Sequence, residues 1–339
     1  GVNPDTTWRY CIDCDGLNFG SYLDLRSEFD NSNFSLKTNY DITDDINIYF
    51  DAKYSTTHSI KEIDATWGGF WHDVDHPYMH PEMAAMIVAN GWTGTWMNRQ
   101  NDDLGFRTEI NDRDTTRFVV GVEGYVNDDW GYGVSLVRGE TTVDRTTPQN
   151  RINDNLAFAI DAIELNGQIV CASAAARADG CIPFNYMGGP NEATQAHIDY
   201  LTTTSYFTSE LTQIVFSASV NNSQLFELPA GEVGFAAGIE HRKEESKDSE
   251  PEGYDGTFSV APSLVIGDFD VSEAFAEVIV PLVSDVYLVQ DLSVEAAARY
   301  ADYSTTGAAT SWKLGLNWTV NDELRFRTTL SEAVRAPNI

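Results

Sequence analysis

Basic residues are scarce in this sequence. It holds 21 lysines and arginines against 52 aspartates and glutamates, a formal net charge of −31. A phosphate backbone would be repelled by such a chain, which argues against a nucleic-acid partner. Long apolar runs are missing too, since no stretch approaches the roughly 18 residues that suggest a membrane helix. That excludes a helical membrane protein and leaves a membrane β-barrel open, because barrel strands alternate and look only half hydrophobic. Catalytic signatures are also absent: there is no G-x-S-x-G, no H-E-x-x-H and no phosphate loop. With 52 carboxylates chance acid pairs are inevitable, so Asp and Glu alone carry no glycosidase argument. No enzyme activity and no cofactor is expected. Cysteine is limited to four residues in two close pairs, Cys11 with Cys14 and Cys171 with Cys181. Neither pair has a partner CxxC at zinc-ribbon spacing, so the expectation is two local disulfides in an exported protein. The Cys11–Cys14 loop would be very tight. The chain opens on Gly1 with no signal peptide and ends on Leu330–Ile339, "LSEAVRAPNI", in what reads as mid-strand. Both ends look cut.

What is present is period-2 patterning. In "INIYFDAKYS" Ile46, Ile48, Phe50, Ala52 and Tyr54 share one face, while Asn47, Asp51, Lys53 and Ser55 share the other. "SWKLGLNWTV" sets Trp312, Leu314, Leu316, Trp318 and Val320 against Lys313, Asn317 and Thr319. The pattern predicts about ten strands, near 29–43, 46–58, 106–126, 131–147, 206–222, 231–247, 270–283, 290–305, 309–320 and 323–333. Acidic turns at Thr43-Asp44-Asp45, Asn127-Asp128-Asp129 and Asn321-Asp322-Glu323 alternate with long connections at 59–105, 148–205 and 248–269. Up-and-down strands would place all the short turns on one rim and the long loops on the other. Loops of that size are rare in compact soluble domains and ordinary in outer-membrane barrels. Aromatics near strand ends, such as Trp130, Tyr132, Tyr300 and Trp312, suit interfacial girdles, although β proteins are rich in aromatics anyway. The alternative class is a secreted acidic all-β adhesin or binding module with a sandwich fold.

Several segments then carry a resemblance. "SEAVRAPN" (331–338), which includes Arg335, Ala336, Pro337 and Asn338, resembles the SxAxRAPN stretch of TonB-dependent outer-membrane receptors. "NYDITDDINIYFDAKY" (39–54), "LPAGEVGFAAGIEHRKE" (228–244), "VSEAFAEVIVPLV" (271–283) and "LSVEAAARYADYSTTGAATSWKLGLNW" (292–318) look like that family's barrel strands in the expected order. The loop with "GCIPFN" (180–185) resembles a recurrent external loop of one proteobacterial branch. The resemblance implies an all-β fold: part of an up-and-down transmembrane barrel, about ten strands of 22, with short helices in the external loops. It implies that residues 1–339 are an internal portion, 1–28 forming a loop or strand entry, with the plug, TonB box and closing strands absent. The implied partners are outer-membrane lipid and lipopolysaccharide, the TonB–ExbB–ExbD complex acting through the missing plug, and a scarce nutrient such as an oligosaccharide or iron-siderophore. The branch resembled includes many receptors suspected of carbohydrate uptake.

Within the first long loop, Trp67, Trp71, Tyr78, Trp92 and Trp96 are candidate sugar-stacking residues, against the plainer reading of loop packing. His72, His76 and His80 fall four apart, so on a helix they could share a face and hold a metal; Pro77 and Pro81 oppose a continuous helix and favour polar residues on an exposed loop. The acidic runs at 111–114 and 244–256 lack the ordered spacing of a calcium loop. "PEMAAMIVANG" (81–91) and "NLAFAIDAIEL" (155–165) read as short loop helices.

Overall fold

A computed structural model of the chain describes residues 26–127, 129–188 and 192–335. In chain order the elements are β1 (Glu28–Thr43), β2 (Ile46–Ala65), β3 (Trp67–Asp73), α1 (Pro81–Ala89), β4 (Gly94–Gln100), β5 (Phe106–Val126), β6 (Trp130–Arg151) and α2 (Asn153–Ile160). There follow β7 (Ala162–Leu165), β8 (Gln168–Cys171), α3 (Ala174–Ala178), α4 (Gln195–Leu201), β9 (Thr202–Asn222), β10 (Glu227–Leu228), β11 (Gly231–Glu232) and β12 (Gly234–Asp248). The chain continues through β13 (Gly267–Val286), β14 (Val289–Tyr303), β15 (Gly307–Asn321) and β16 (Leu324–Glu332).

Ten of these strands form one antiparallel sheet in the order β1-β2-β5-β6-β9-β12-β13-β14-β15-β16, which is also their order along the chain. Successive neighbours run in opposite directions, so alternate connections fall on opposite rims. Short turns and the β10–β11 hairpin occupy one rim; the segments 66–105, 152–201 and 249–266, with the short β14–β15 turn at 304–306, occupy the other.

The register gives the sheet two chemically distinct faces. One row of direct partners runs Tyr40, Ile48, Val122, Val134, Ala218, Ile239, Ala274, Tyr300, with no charged member. A row on the other face runs Asn39, Tyr49, Gly121, Ser135, Ser217, Glu240, Glu273. Large residues of the apolar face are exposed, among them Val120, Leu136, Phe216 and Leu314. In water such a surface would be a severe liability. On the polar face Arg299 pairs with Glu273 at 3.2 Å and lies over the Phe275 ring, and Lys313 pairs with Glu295.

Several strands extend past their sequence-predicted ends on the loop side. β2 runs to Ala65, β6 to Arg151, and β9 starts at Thr202. At 22 residues β6 spans about 70 Å, whereas roughly 9–11 tilted residues cross a bilayer. Above the apolar belt both faces of these strands are polar, so alternation fades while the hydrogen-bond ladder continues. Two of the register irregularities sit where proline removes a ladder donor: Pro148 lies inside the Thr147/Asn150 register shift, and Pro281 begins the Pro281/Val283 shift.

Candidate functional site: a folded cap of long loops

The main apolar core of the described residues lies in the loops, not under the sheet. Leu104, Leu156, Ala159, Ile160, Phe184, Tyr186 and Leu201 are buried together, with Phe70, Cys181 and Ile198 packed against them. These residues come from both of the first two long loops. Local sequence explains the parts. His80 caps α1 by accepting from Glu82 N, and Pro81 occupies the first turn, where its missing N–H costs nothing. Gly91, at φ +71°, lets the chain turn away after the helix. The expected helix over 155–165 is corrected: α2 ends at Ile160, and Ala162–Leu165 pairs with Gln168–Cys171 as a hairpin. Asn166 and Gly167 both take positive φ, as a two-residue type I′ turn demands, and that turn signal outweighs helical periodicity.

Cys171 and Cys181 are joined, with Cα atoms 6.3 Å apart, so this expected disulfide is formed. Cys11 and Cys14 lie outside the described residues, as do Ala336, Pro337 and Asn338; Arg335 follows β16 and is exposed.

Arginines stitch the loops together. Arg99 reaches Asp103 at 2.7 Å and lies over the rings of Phe184 and Tyr186, at 5.0 and 5.8 Å. Asp103 Oδ2 also accepts from Glu192 N and Ala193 N in the second loop. The Tyr186 hydroxyl donates to Gly68 O at 2.8 Å, and burial pushes its pKa up to about 12. The third loop joins through Phe258, which the Arg107 and Arg151 guanidiniums approach at 5.2 and 4.6 Å. Asn150 is fully buried there, donating to Ser205 and Thr257 and accepting from Ser259 N.

The three histidines do not share a helical face, which corrects the metal geometry considered from their spacing. His72 is on β3, His76 in the following turn with Nε2 donating to Ile160 O at 3.0 Å, and His80 at the α1 cap. Nor is His72 an exposed loop residue: it is 1% exposed, packed between the His76 and Tyr186 rings, and its Nε2 has no partner. Burial is the main reason that its pKa falls to about 4, with His76 adding repulsion.

The tryptophan candidates divide. Trp67, Trp71 and Trp96 fall on one face of the β3–β4 hairpin, Trp71 directly opposite Trp96. They are 56%, 51% and 58% exposed, while Phe70 and His72 on the other face pack on Tyr186. A Cβ at Gly69 would overlap the Trp96 indole, and one at Gly94 would overlap the Trp71 indole. Each ring therefore lies down across the glycine of the opposite strand. Trp71 Nε1 donates to Asp73 Oδ1 at 2.9 Å and Trp96 Nε1 to Asn98 Oδ1 at 3.2 Å. Trp92 stands instead beyond the end of α1, and Tyr78 is half-buried beside His76. The spacing of Trp67, Trp71 and Trp96 was legible in the sequence; the roles of Gly69, Gly94 and Asn98 were not, because they depend on which residues face each other across the hairpin.

A long two-faced antiparallel sheet, with short turns on one rim and a folded cap of loops on the other, is the wall of a large β-barrel. The chain belongs to the TonB dependent receptor-like β-barrel family, whose model matches residues 88–339. No curated protein matches the sequence. Among solved structures, the chain is similar to the siderophore receptor PirA from Acinetobacter baumannii, with 14% identity over 92% of this chain and a TM-score of 0.47. It spans about a third of that chain's length (34%). It is also similar to the translocator domain of the autotransporter NalP from Neisseria meningitidis, with 9% identity, a TM-score of 0.28, and 93% and 86% of the two chains covered.

Proposed function

We propose that this chain supplies part of the barrel wall and the external ligand-gathering loops of an outer-membrane receptor that takes up a scarce nutrient with TonB-coupled energy. The observation that carries the reading is the pairing of an exposed apolar belt, whose row from Tyr40 to Tyr300 carries no charge, with a polar face bearing Arg299–Glu273 and Lys313–Glu295. The first face suits lipid and the second a lumen filled by a plug. Loops 59–105, 148–205 and 248–269 then lie outside the cell and meet the ligand. A secreted adhesin would have to cover the apolar face with a second sheet, and all ten main strands are already in one sheet.

Between an oligosaccharide and an iron-siderophore, the loop charge favours the neutral ligand. Segments 59–105 and 148–205 hold four basic residues, Lys61, Arg99, Arg151 and Arg177, against thirteen acidic ones. Arg99 is paired with Asp103, Arg151 is bonded to Trp67 O and Asn153, and Arg177 to the carbonyls of Cys171 and Ala172. An anionic ferric chelate would meet a repelling surface with little cationic charge left to bind it. The test is expression of the full-length receptor followed by fractionation and uptake of labelled oligosaccharide and of a labelled ferric tris-catecholate, which is anionic. Recovery in the detergent-extracted outer membrane, with uptake abolished by a proton uncoupler, is the expected result. Recovery as soluble protein without detergent would sink the reading.

A further inference from the structure

We propose that the outer face of the β3–β4 hairpin is a ring-stacking subsite for a neutral oligosaccharide, with Trp71 and Trp96 as a paired platform and Trp67 as a second contact. This rests on the receptor reading and adds to it a site, a geometry and a ligand class.

The inner face of this hairpin packs its aromatics inward: Phe184 and Tyr186 are 0% and 2% exposed, and Phe70 is packed against them, whereas Trp92 and Phe158 are exposed singly elsewhere on the cap. Three indoles on the opposite face of the same hairpin are more than half exposed. An isolated exposed tryptophan is unremarkable, but adjacent exposed indoles form the kind of apolar patch that marks a binding surface.

Gly69 and Gly94 clear the space into which the Trp96 and Trp71 rings settle. Neither glycine has positive φ; what excludes a Cβ at Gly69 is the Trp96 indole with Asn98 Oδ1, and at Gly94 the His72 carbonyl together with the Trp71 indole. A ring resting on backbone offers its π face to whatever comes from outside. That face is electron-rich, and the complementary partner is a surface of slightly positive C–H bonds, as the flat side of a pyranose provides. Indole N–H groups tied to Asp73 and Asn98 fix each ring against rotation. Asn98 Nδ2 and Asp73 Oδ2, with no partner among the described residues, stand at the rim ready to donate to and accept from sugar hydroxyls. Such a mixture of apolar floor and a few fixed polar groups is typical of small-molecule sites.

Trp67 lies four residues before Trp71 on the same face, about 13 Å along the strand, so the ligand is a chain of linked rings and not a single sugar. Asp73 sits at the platform's edge, and the hairpin's one basic residue, Arg99, is bound to Asp103. That charge balance admits a neutral glycan and opposes an anionic chelate or an acidic polysaccharide.

The experiment uses the full-length receptor in detergent micelles, with a mixture of neutral glucan oligosaccharides of increasing length as probe and an anionic ferric tris-catecholate as the contrasting ligand. Saturation-transfer NMR and indole fluorescence report binding. Wild type is expected to bind oligosaccharides more tightly than monosaccharide. The double substitution Trp71→Ala/Trp96→Ala should weaken binding by at least about tenfold, the scale of losing central aromatic anchors. Gly69→Ala keeps every tryptophan yet should weaken binding several-fold by lifting the Trp96 ring, an effect that mere loss of apolar area would not produce. Outer-membrane recovery, heat-shifted gel mobility and an intact Cys171–Cys181 bridge establish that each variant is folded. Oligosaccharide binding unchanged in the double variant, or binding of the chelate alone, overturns the site. If the chelate is nevertheless taken up in an uncoupler-sensitive way, the receptor reading stands and only this inference falls.

Discussion

His72 shows how much one side chain can depend on what is packed around it. Its imidazole is enclosed by the rings of His76 and Tyr186 with no hydrogen-bond partner for Nε2, so the neutral form is favoured in the folded cap. The folded pKa is about 4 against 6.5 unperturbed. Between these values the unfolded loop binds a proton that the folded loop refuses, so stability falls as pH drops from about 6.5 towards 4 and is fully present above that window. The ceiling on the loss is roughly 3 kcal/mol. Hydrogen exchange of residues 67–100 across this pH range should show the loosening, and His72→Leu should flatten it; an equally steep profile in the variant would refute the assignment. At the same scale, Arg99→Leu leaves Asp103 buried without its guanidinium and should destabilise the cap by about 3 kcal/mol. Limited proteolysis within 59–105 measures that change. Sequence spacing alone put the three histidines four apart and hinted at a metal; it could not show that one is buried, one bonded to a carbonyl and one a helix cap, because each role is set by residues distant in the chain.

At the level of elements, the long loops behave as a small folded domain with their own core and staples. The Cys171–Cys181 bridge closes a ten-residue separation and removes loop-closure entropy worth about 3 kcal/mol from the unfolded loop. Reduction, or Cys181→Ser, should raise exchange in β8, α3 and the chain up to Tyr186 while leaving the exchange of β14 and β15 unchanged. Phe258 couples the third loop to the first two through Arg107, Arg151 and an edge-to-face contact with Trp67 at 5.9 Å. Phe258→Ala removes two cation–π contacts of about 0.5–2 kcal/mol each. It should expose 249–266 to protease before any effect on the main sheet; simultaneous cleavage throughout the chain would contradict that picture. The helix α1 was readable from its proline start and glycine stop, whereas the β7–β8 hairpin was hidden behind a run of apolar residues that suits either structure. The Asn166-Gly167 turn decided between them.

For the whole molecule the central claim is that the two faces of the sheet meet different solvents. Val134 and Ser135 are neighbours in β6 and point to opposite faces. Val134→Lys should cost about 2–4 kcal/mol in lipid and sharply lower the yield of assembled receptor, while Ser135→Lys, near Glu240 on the polar face, should assemble at close to the normal level. Equal yields of the two variants would remove the basis for calling the first face lipid-exposed.

The ten strands of the main sheet, their order and the alternation of short turns with long loops were determined by the sequence by itself, because period-2 patterning and turn residues are local properties. So was the family, since its motifs are written in contiguous segments. The tertiary structure decided what local patterns cannot encode. It carried β2, β6 and β9 beyond the apolar belt, where the ladder holds but alternation fades. It gathered Leu104, Leu156, Phe184 and Leu201 from separate loops into one core. It also laid Trp71 and Trp96 over glycines of the opposing strands. Each of these depends on which residues meet across space, and long-range contact is a property of the fold.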